Sequence, residues 1–143
     1  MENSTPSYVL DSFALLAYLE GEAGAEQVSS LLAQAQKGEC RLFFSLINLG
    51  EVLYIIERER GINQAHLVLA AIQQMSLEIL PADMDTVFAA AHIKACHPVA
   101  NSDAFAAAAA QQHHATLVTG DAEFQALDGI ISIIWLPKEA KRK

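Results

Sequence analysis

Basic residues are scarce in this sequence of 143 residues. It contains nine Lys and Arg against 17 Asp and Glu, which gives a net charge of −8 at pH 7. Four of the nine basic residues lie in the last six positions, so the first 137 residues carry five basic and 16 acidic side chains, a charge of −11. This balance argues against simple electrostatic binding of nucleic acid, which needs a basic patch. A polyanionic ligand would need positive charge from another source.

Cysteines and long apolar segments are also few. Cys40 and Cys96 lack the spacing of a cysteine metal site, and we expect them to be buried thiols in a reduced cytoplasm. No apolar run reaches the length of a membrane span, and the first seven residues are too short and polar for a signal peptide. We therefore expect a cytoplasmic protein that is not associated with a membrane. Its 52% of hydrophobic residues argues against disorder and predicts a sizeable core.

Short apolar strands alternate with helical segments along the chain. Strands are predicted at 8–10, 41–44, 77–80, 116–118 and 130–136, and helices at 12–19, 22–37, 46–60, 63–75, from 83 or 85, and from 101 or 102. Nearly continuous apolar strands are typical of a parallel sheet that helices cover on both faces. The sequence therefore predicts an α/β three-layer sandwich with a mainly parallel five-stranded sheet. We expect one domain over 1–137 and a mobile basic tail at 138–143.

Four acidic residues stand where a predicted strand ends or a predicted helix begins. Asp11 directly follows the first strand, and Asp121 follows the fourth strand just after Gly120, which we expect to permit a sharp turn. Asp103 lies in the first turn of an alanine-rich helix, and Glu51 lies at the margin of the buried face of the helix after the second strand. Ligand crevices of parallel sheets lie at the carboxyl ends of the strands. All four acids therefore converge if the first and fourth strands are neighbours.

Such a group of carboxylates needs a counter-charge, because like charges and desolvation both raise the pKa of each member. Oxygen ligands of this kind suit Mg²⁺ or Mn²⁺, which also bind substrate phosphates. One or two such ions would generate a hydroxide nucleophile, neutralise a phosphate and stabilise a leaving oxygen. A metal would thus connect an acidic pocket to a polyanionic substrate.

Asn101 or Ser102 is the expected N-cap of the alanine-rich helix, and either residue would place Asp103 in the first turn.

Four segments together resemble the PIN domain family, in particular the VapC-type toxins of bacterial and archaeal toxin–antitoxin pairs. They are Tyr8-Val9-Leu10-Asp11-Ser12, Ser45-Leu46-Ile47-Asn48-Leu49-Gly50-Glu51-Val52, Ser102-Asp103-Ala104-Phe105 and Leu117-Val118-Thr119-Gly120-Asp121-Ala122-Glu123-Phe124. The resemblance covers nearly the whole chain in the family's order and spacing. It implies a compact PIN-like α/β fold, Mg²⁺- or Mn²⁺-dependent endoribonuclease activity, a homodimer and inhibition by a cognate antitoxin.

The resemblance also implies roles for single residues. The predicted catalytic and metal-binding residues are Asp11, Glu51, Asp103 and Asp121, with supporting hydroxyls on Ser12 and Thr119. The sequence departs from the family pattern at Asn48, where threonine is common, and at Asn101, where an apolar residue is common. Neither departure removes a metal ligand.

The leading hypothesis is an endoribonuclease that hydrolyses RNA phosphodiester bonds with metal-activated water and is the toxin of a toxin–antitoxin pair. Asp11, Asp103 and Asp121 would hold the main metal, and Glu51 would be a further ligand or a water-orienting base. No serine or cysteine has an identifiable paired base, so a covalent nucleophile is not expected. The expected partners are single-stranded or structured RNA and a cognate antitoxin.

Plainer interpretations apply to single residues. Any one of the acids could be an ordinary helix cap or a solvated side chain. His113 and His114 are adjacent on a helix and point apart, which favours a solvated helix end over a metal site. Arg58 and Arg60 belong to a charge run typical of a solvated face, and guiding RNA is the alternative.

Two other functions remain open at this point. One is a catalytically inactive PIN-like interaction module that keeps the acids without turnover. The other is a receiver-type signalling domain, for which Lys138 follows the last strand but the expected acid pair near the first strand is absent. In either PIN-like case, the apolar helical segments 13–19 and 28–35 would offer a surface to a partner helix.

Overall fold

The computed structural model describes residues 5–138, which form five strands, six α-helices and one 3₁₀ helix. The strands are β1 Ser7–Leu10, β2 Arg41–Ser45, β3 Glu78–Leu80, β4 Thr116–Thr119 and β5 Ile133–Trp135. The α-helices are α1 Ser12–Glu20, α2 Ala25–Gln36, α3 Leu46–Arg60, α4 Ile62–Gln73, α5 Met84–Cys96 and α6 Asn101–Gln112, and the 3₁₀ helix is Ala122–Leu127. Strands and helices alternate as the sequence predicts.

All five strands are parallel and lie in the order β3-β2-β1-β4-β5. The predicted α/β sandwich with a mainly parallel five-stranded sheet is therefore confirmed. In the central register, Leu10 of β1 pairs with Phe44 of β2 on one side and with Val118 of β4 on the other. Receiver domains have the strand order 2-1-3-4-5. The receiver-type hypothesis is therefore wrong for this fold.

Two hydrophobic cores cover the two faces of the sheet, because successive side chains of a strand point to opposite faces. Val9 packs with Leu117 and with the alanines of α6, whose small side chains let that helix lie close to the sheet. Leu10 packs on the other face, with α1, α2, α3 and α4. These residues are all fully buried, so the strands are apolar nearly throughout and the domain has three layers.

The order of the strands in the sheet reverses at β1. From β1 the chain crosses to β2 on one side, whereas β4 lies on the opposite side of β1. In open parallel sheets, ligands bind outside the carboxyl ends of the strands where the order reverses in this way. The residues that directly follow β1 and β4 lie at this reversal, and α1 and α3 begin at the same edge because each directly follows its strand.

Some predicted boundaries are wrong for local reasons. Helix α2 begins at Ala25 and not at residue 22, because Gly24 takes a left-handed conformation with φ 96°. Strand β5 covers only Ile133–Trp135, because the amides of Ile130 and Ile131 donate to the Leu127 carbonyl in the turn after the 3₁₀ helix.

Two other local expectations are also wrong. The N-cap of α6 is Ala100, without a side-chain cap, and neither Asn101 nor Ser102 has that role. Cys96 is exposed at the end of α5, whereas Cys40 is buried as expected.

No helix between residues 5 and 138 is long and apolar enough to cross a membrane. The assignment of one domain over 1–137 stays a prediction. The mobile tail predicted at 138–143 falls on residues 139–143, which lie outside the described residues, and on Lys138, which is exposed.

Candidate functional site

Asp11 is held in a fixed orientation at the carboxyl end of β1. It is the N-cap of α1, where its Oδ1 accepts a hydrogen bond of 2.8 Å from the Ala14 amide. Its Oδ2 accepts a second bond of 2.5 Å from the hydroxyl of Thr119, the last residue of the neighbouring strand β4. The side chain is 1% exposed. A buried carboxylate with one donor on each oxygen keeps its second lone pairs for another ligand.

The hydroxyl of Thr119 connects Asp11 to the turn that follows β4. Besides donating to Asp11, it accepts a hydrogen bond of 3.0 Å from the Asp121 amide. Asp121 in turn caps the 3₁₀ helix, since its Oδ1 accepts 3.0 Å from the Glu123 amide. The Thr119 hydroxyl thus contacts both Asp11 and Asp121, and its predicted role in support of the acids stays a prediction.

Three carboxylates meet beside Asp11. One oxygen each of Asp103, Asp121 and Glu123 lies within 4.8 Å of the others. Asp103 is in the first turn of α6 and is 7% exposed, whereas Asp121 is half-buried and Glu123 is exposed. The site predictions did not include Glu123, although its position two residues after Asp121 in a short helical turn was a usable signal.

Burial and mutual repulsion make two of these acids hard to ionise. Burial, with a smaller contribution from the charge of Asp121, raises the pKa of Asp11 to about 7, although the bonds from Thr119 and Ala14 oppose this rise. The pKa of Asp103 rises to about 8, first because of burial, then because of the charge of Asp121 and a hydrogen bond to Glu123 that favours the neutral form. Without a cation, this site therefore holds protons near neutral pH.

Glu51 and Ser12, the two remaining predicted site residues, lie outside this group of carboxylates. Glu51 is half-buried in the second turn of α3, as predicted, and it does not belong to the group of three carboxylates within 4.8 Å. The Ser12 hydroxyl donates to the backbone carbonyl of Asn48 at 3.4 Å and accepts from the side-chain Nδ2 of Asn48 at 2.9 Å. Its contacts therefore connect α1 to α3.

Three basic side chains of the described residues bind groups outside the acidic site. Arg41 forms a two-pronged ion pair with Glu78, and Arg60 pairs with Glu20. The ammonium of Lys94 donates to the Val99 carbonyl at 2.9 Å. The ion pairs found in the described part of the chain are these two, and neither includes Asp11, Asp103, Asp121 or Glu123. The acidic site therefore has no protein cation as a counter-charge within residues 5–138.

Gly120 has a different role from the expected one. Its φ is outside the left-handed region, so the backbone turn does not itself require glycine. A Cβ at this position would overlap the ring of Phe13, lying 2.9 Å from Cζ and 3.1 Å from Cδ1. The missing side chain thus lets the start of α1 pack on the turn that carries Asp121.

The fold and the acidic site define an α/β protein with a carboxylate cluster at the point where the strand order reverses. The sequence matches the profile of the PIN domain over residues 8–130. The chain belongs to the PIN domain family. At the level of sequence alone, no curated protein matches it significantly.

Solved structures of toxin–antitoxin systems have a similar fold. VapBC2 from Rickettsia felis, bound to a DNA fragment from its promoter, superposes with a TM-score of 0.72 at 19% identity, covering 92% of this chain and 99% of that chain. DNA-bound VapBC from Salmonella typhimurium gives 0.70 at 21% identity, covering 90% and 97%. Mycobacterium tuberculosis VapC20, a toxin that cleaves the sarcin–ricin loop, gives 0.68 at 17% identity, covering 84% and 94%. At these identities the likeness establishes a shared fold.

Proposed function

We propose that this protein is a metal-dependent endoribonuclease and the toxin of a toxin–antitoxin pair. One observation carries the proposal: Asp103, Asp121 and Glu123 place carboxylate oxygens within 4.8 Å of one another beside the buried Asp11. Structural acids rarely gather in this way, because desolvation and repulsion disfavour the charged forms. Strongly perturbed acids in a crevice are typical of functional sites.

The donor set fits a hard divalent cation. It consists of carboxylate oxygens only, without histidine or cysteine, which suits Mg²⁺ or Mn²⁺ better than Zn²⁺. A bound cation would also provide the counter-charge that no Lys or Arg gives these acids within the described ranges. We propose Asp11, Asp103 and Asp121 as the main ligands and add Glu123 to them. Glu51 remains proposed as a further ligand or a base that orients water.

Each protein group then has a definable task. A bound ion would activate water, neutralise the scissile phosphate and stabilise the leaving oxygen. Asp11 has a single orientation, since Ala14 and Thr119 each donate to one of its oxygens. Thr119 also accepts from the amide of Asp121, so its hydroxyl connects the two acids. Glu51, in the second turn of α3, is proposed to accept a proton from this water.

RNA as the substrate needs positive charge, and among the arginines at residues 5–138 the one without an ion pair is Arg58. Arg60 is paired with Glu20, whereas the guanidinium of Arg58 lies 5.1 Å from the ring centroid of Tyr54, which is 50% exposed. Tyr54 and Arg58 follow Glu51 by three and seven residues, so the three share a face of α3. An exposed aromatic ring with an adjacent arginine is the combination that binds single-stranded RNA. This supports Arg58 over Arg60 as the RNA contact.

The proposal includes a cognate antitoxin, a homodimer and a cytoplasmic location. The likeness in fold to VapBC structures supports the antitoxin in this proposal. The helical segments 13–19 and 28–35 already bury Ala14, Leu15, Ala17 and Val28 against the sheet. The part of these segments that remains for a partner is therefore limited to their margins, such as Phe13, which is 37% exposed.

The decisive experiment incubates purified, antitoxin-free protein with a mixed pool of single-stranded and structured RNA, with Mg²⁺, with Mn²⁺ and with EDTA. We expect cleavage that requires the metal and falls about 100-fold or more in Asp11→Asn and Asp103→Asn. Asp128→Asn is the matched control, because it removes the same charge from an exposed residue that does not belong to the group of three carboxylates. Full cleavage by Asp103→Asn would contradict the proposal. Mn²⁺ binding without cleavage of any RNA would identify the inactive interaction module instead.

A further inference from the structure

A buried asparagine connects the three helices that carry the proposed acids. Asn48 lies in the first turn of α3, after the N-cap Ser45, and is 0% exposed. Helix α3 packs against both α1 and α6. A fully buried amide needs its hydrogen bonds made within the protein, so its partners indicate what holds it there.

The amide nitrogen of Asn48 donates to two residues that are far apart in sequence. Nδ2 lies 2.9 Å from the Ser12 hydroxyl and 3.3 Å from the Ser102 carbonyl. The carbonyl can only accept, which fixes the nitrogen as the atom that faces it. Ser12 is the neighbour of Asp11, and Ser102 is the neighbour of Asp103. One side chain therefore bridges the two helix starts at which these two acids lie.

The other half of the amide is unsatisfied. Within residues 5–138, Oδ1 of Asn48 is buried and has no hydrogen-bond partner. Leaving a buried acceptor unpaired is unfavourable, and a leucine of similar size would avoid the loss. The amide thus gains little for stability alone. Its two donor hydrogens, however, form hydrogen bonds to residues of α1 and α6.

We propose that Asn48 is a positioning residue that fixes Asp11 and Asp103 relative to each other, and Glu51 one turn further along α3. This inference rests on the proposed function, because it concerns the geometry of the same site. Asn48 is also a departure from the family pattern at this position. A threonine offers one donor hydrogen where the amide offers two, so it can donate to Ser12 or to Ser102 but not to both, and the two residue types are not equivalent here.

The experiment compares Asn48→Leu, Asn48→Thr and the wild type by calorimetric titration with Mn²⁺, by kcat and KM on RNA, and by melting temperature. Because Asn48 donates to Ser12 and Ser102 and not to a carboxylate, we expect Asn48→Leu to weaken metal binding by about 10-fold, the lower end of the range for outer-shell partners, with Asn48→Thr between it and the wild type. We expect kcat to fall in the same order while KM for RNA stays within about twofold. Melting temperature should not follow this order, since leucine removes an unpaired acceptor.

The matched control is Asn63→Leu, because Asn63 is exposed in the first turn of α4. Wild-type Mn²⁺ affinity and kcat in Asn48→Leu would overturn the inference while leaving the proposed function intact. If the wild type binds Mn²⁺ but cleaves no RNA, the endoribonuclease fails, and the ranked Mn²⁺ affinities still decide the role of Asn48. If Asn48→Leu does not fold, Asn48→Thr decides, and unchanged Mn²⁺ affinity there would overturn the inference.

Discussion

The hydroxyl of Thr119 donates a hydrogen bond of 2.5 Å to Oδ2 of Asp11, across the two strands that meet at the reversal of the sheet order. The residues are separated by 108 positions in the sequence. Because Thr119 also accepts from the Asp121 amide, one hydroxyl connects the acid after β1 to the acid after β4. The geometry of the site therefore depends on a residue that carries no charge.

Thr119→Val keeps the shape of the side chain and removes this hydroxyl. Both Asp11 Oδ2 and the Asp121 amide lose a partner, which should cost about 1–3 kcal/mol of unfolding free energy. Since the Thr119 bond lowers the pKa of Asp11, its loss should raise that pKa above its present value of about 7 and weaken Mn²⁺ binding at pH 7. Urea unfolding and calorimetric titration measure the two effects.

Thr116→Val is the control for this variant, because Thr116 is half-buried at the opposite end of the same strand. It should leave Mn²⁺ affinity unchanged. Equal Mn²⁺ affinities for Thr119→Val and the wild type would show that the hydroxyl does not organise the acids.

Metal-free protein should lose stability as the pH rises. The folded-state pKa values of Asp11, about 7, and of Asp103, about 8, lie above the ordinary value of 3.8. An acid with a raised pKa stabilises the fold fully below pH 3.8, and this contribution is lost as the pH rises through the folded-state pKa. We expect the melting temperature in EDTA to fall by at least about 5 °C between pH 5 and pH 9.

Mn²⁺ should oppose this trend, because it binds the deprotonated acids and its affinity therefore rises with pH. In Asp103→Asn, which cannot ionise at this position, the fall in EDTA should be smaller. A melting temperature in EDTA that rises from pH 6 to pH 9 would contradict the raised pKa values. Asp83, whose pKa is lowered, titrates below this window and does not affect the comparison.

Gly120→Ala should destabilise the protein although alanine usually replaces glycine at little cost. The added Cβ overlaps the Phe13 ring, and relief requires movement of this ring, which is 37% exposed, or of the turn before Asp121. Overpacking of this kind costs about 1–3 kcal/mol. The movement should also weaken Mn²⁺ binding, because Asp121 is the next residue. Thermal unfolding and Mn²⁺ titration check both effects.

Gly50→Ala provides the opposite control, since Gly50 is exposed within α3 and a Cβ there meets open space. It should stabilise the protein by about 1 kcal/mol through helix propensity. In a Gly120→Ala, Phe13→Ala double variant, the effect of Gly120→Ala should largely disappear. If Gly120→Ala lowers the free energy of unfolding as much in the Phe13→Ala background as in the wild type, then backbone strain, not packing against the ring, is responsible.

The features that sequence could predict are those that a local pattern encodes. The strands are short apolar runs, and the acids Asp11 and Asp121 directly follow two of them, so their convergence needed only the assumption that these strands are neighbours. Asp103 followed from its place in the first turn of an apolar helix. Family resemblance then connected these positions to one chemistry.

The features that sequence missed depend on contacts between distant segments. The donors of Asn48 reach residues 36 and 54 positions away, and the Phe13 ring fills the space above Gly120. No periodicity encodes such contacts. The predicted cap of α6 was also wrong: the helix starts at Asn101 after Ala100, without a side-chain cap, although two polar residues follow directly.

The last prediction concerns the positive charge that RNA needs. Arg58 lies two turns along α3 from Glu51, about 10 Å by helix rise, which is a distance of one or two nucleotides. It packs on Tyr54, and its charge is not neutralised by a carboxylate in the part of the chain that the structure describes. Arg58→Ala should therefore raise KM for RNA about 3- to 10-fold with kcat unchanged, and reduce the slope of log(kcat/KM) against log salt by about 0.7.

Arg41→Ala and Arg60→Ala are the matched controls, because each removes an arginine whose charge is already paired with Glu78 or Glu20. Their KM values and salt slopes should stay close to those of the wild type. Tyr54→Ala should raise KM without changing the slope, since stacking on a base involves no phosphate. If Arg60→Ala weakens RNA binding more than Arg58→Ala, then RNA must break the pair with Glu20, and the path of the substrate lies along the end of α3 toward α1 and not along the face that Glu51 and Arg58 share.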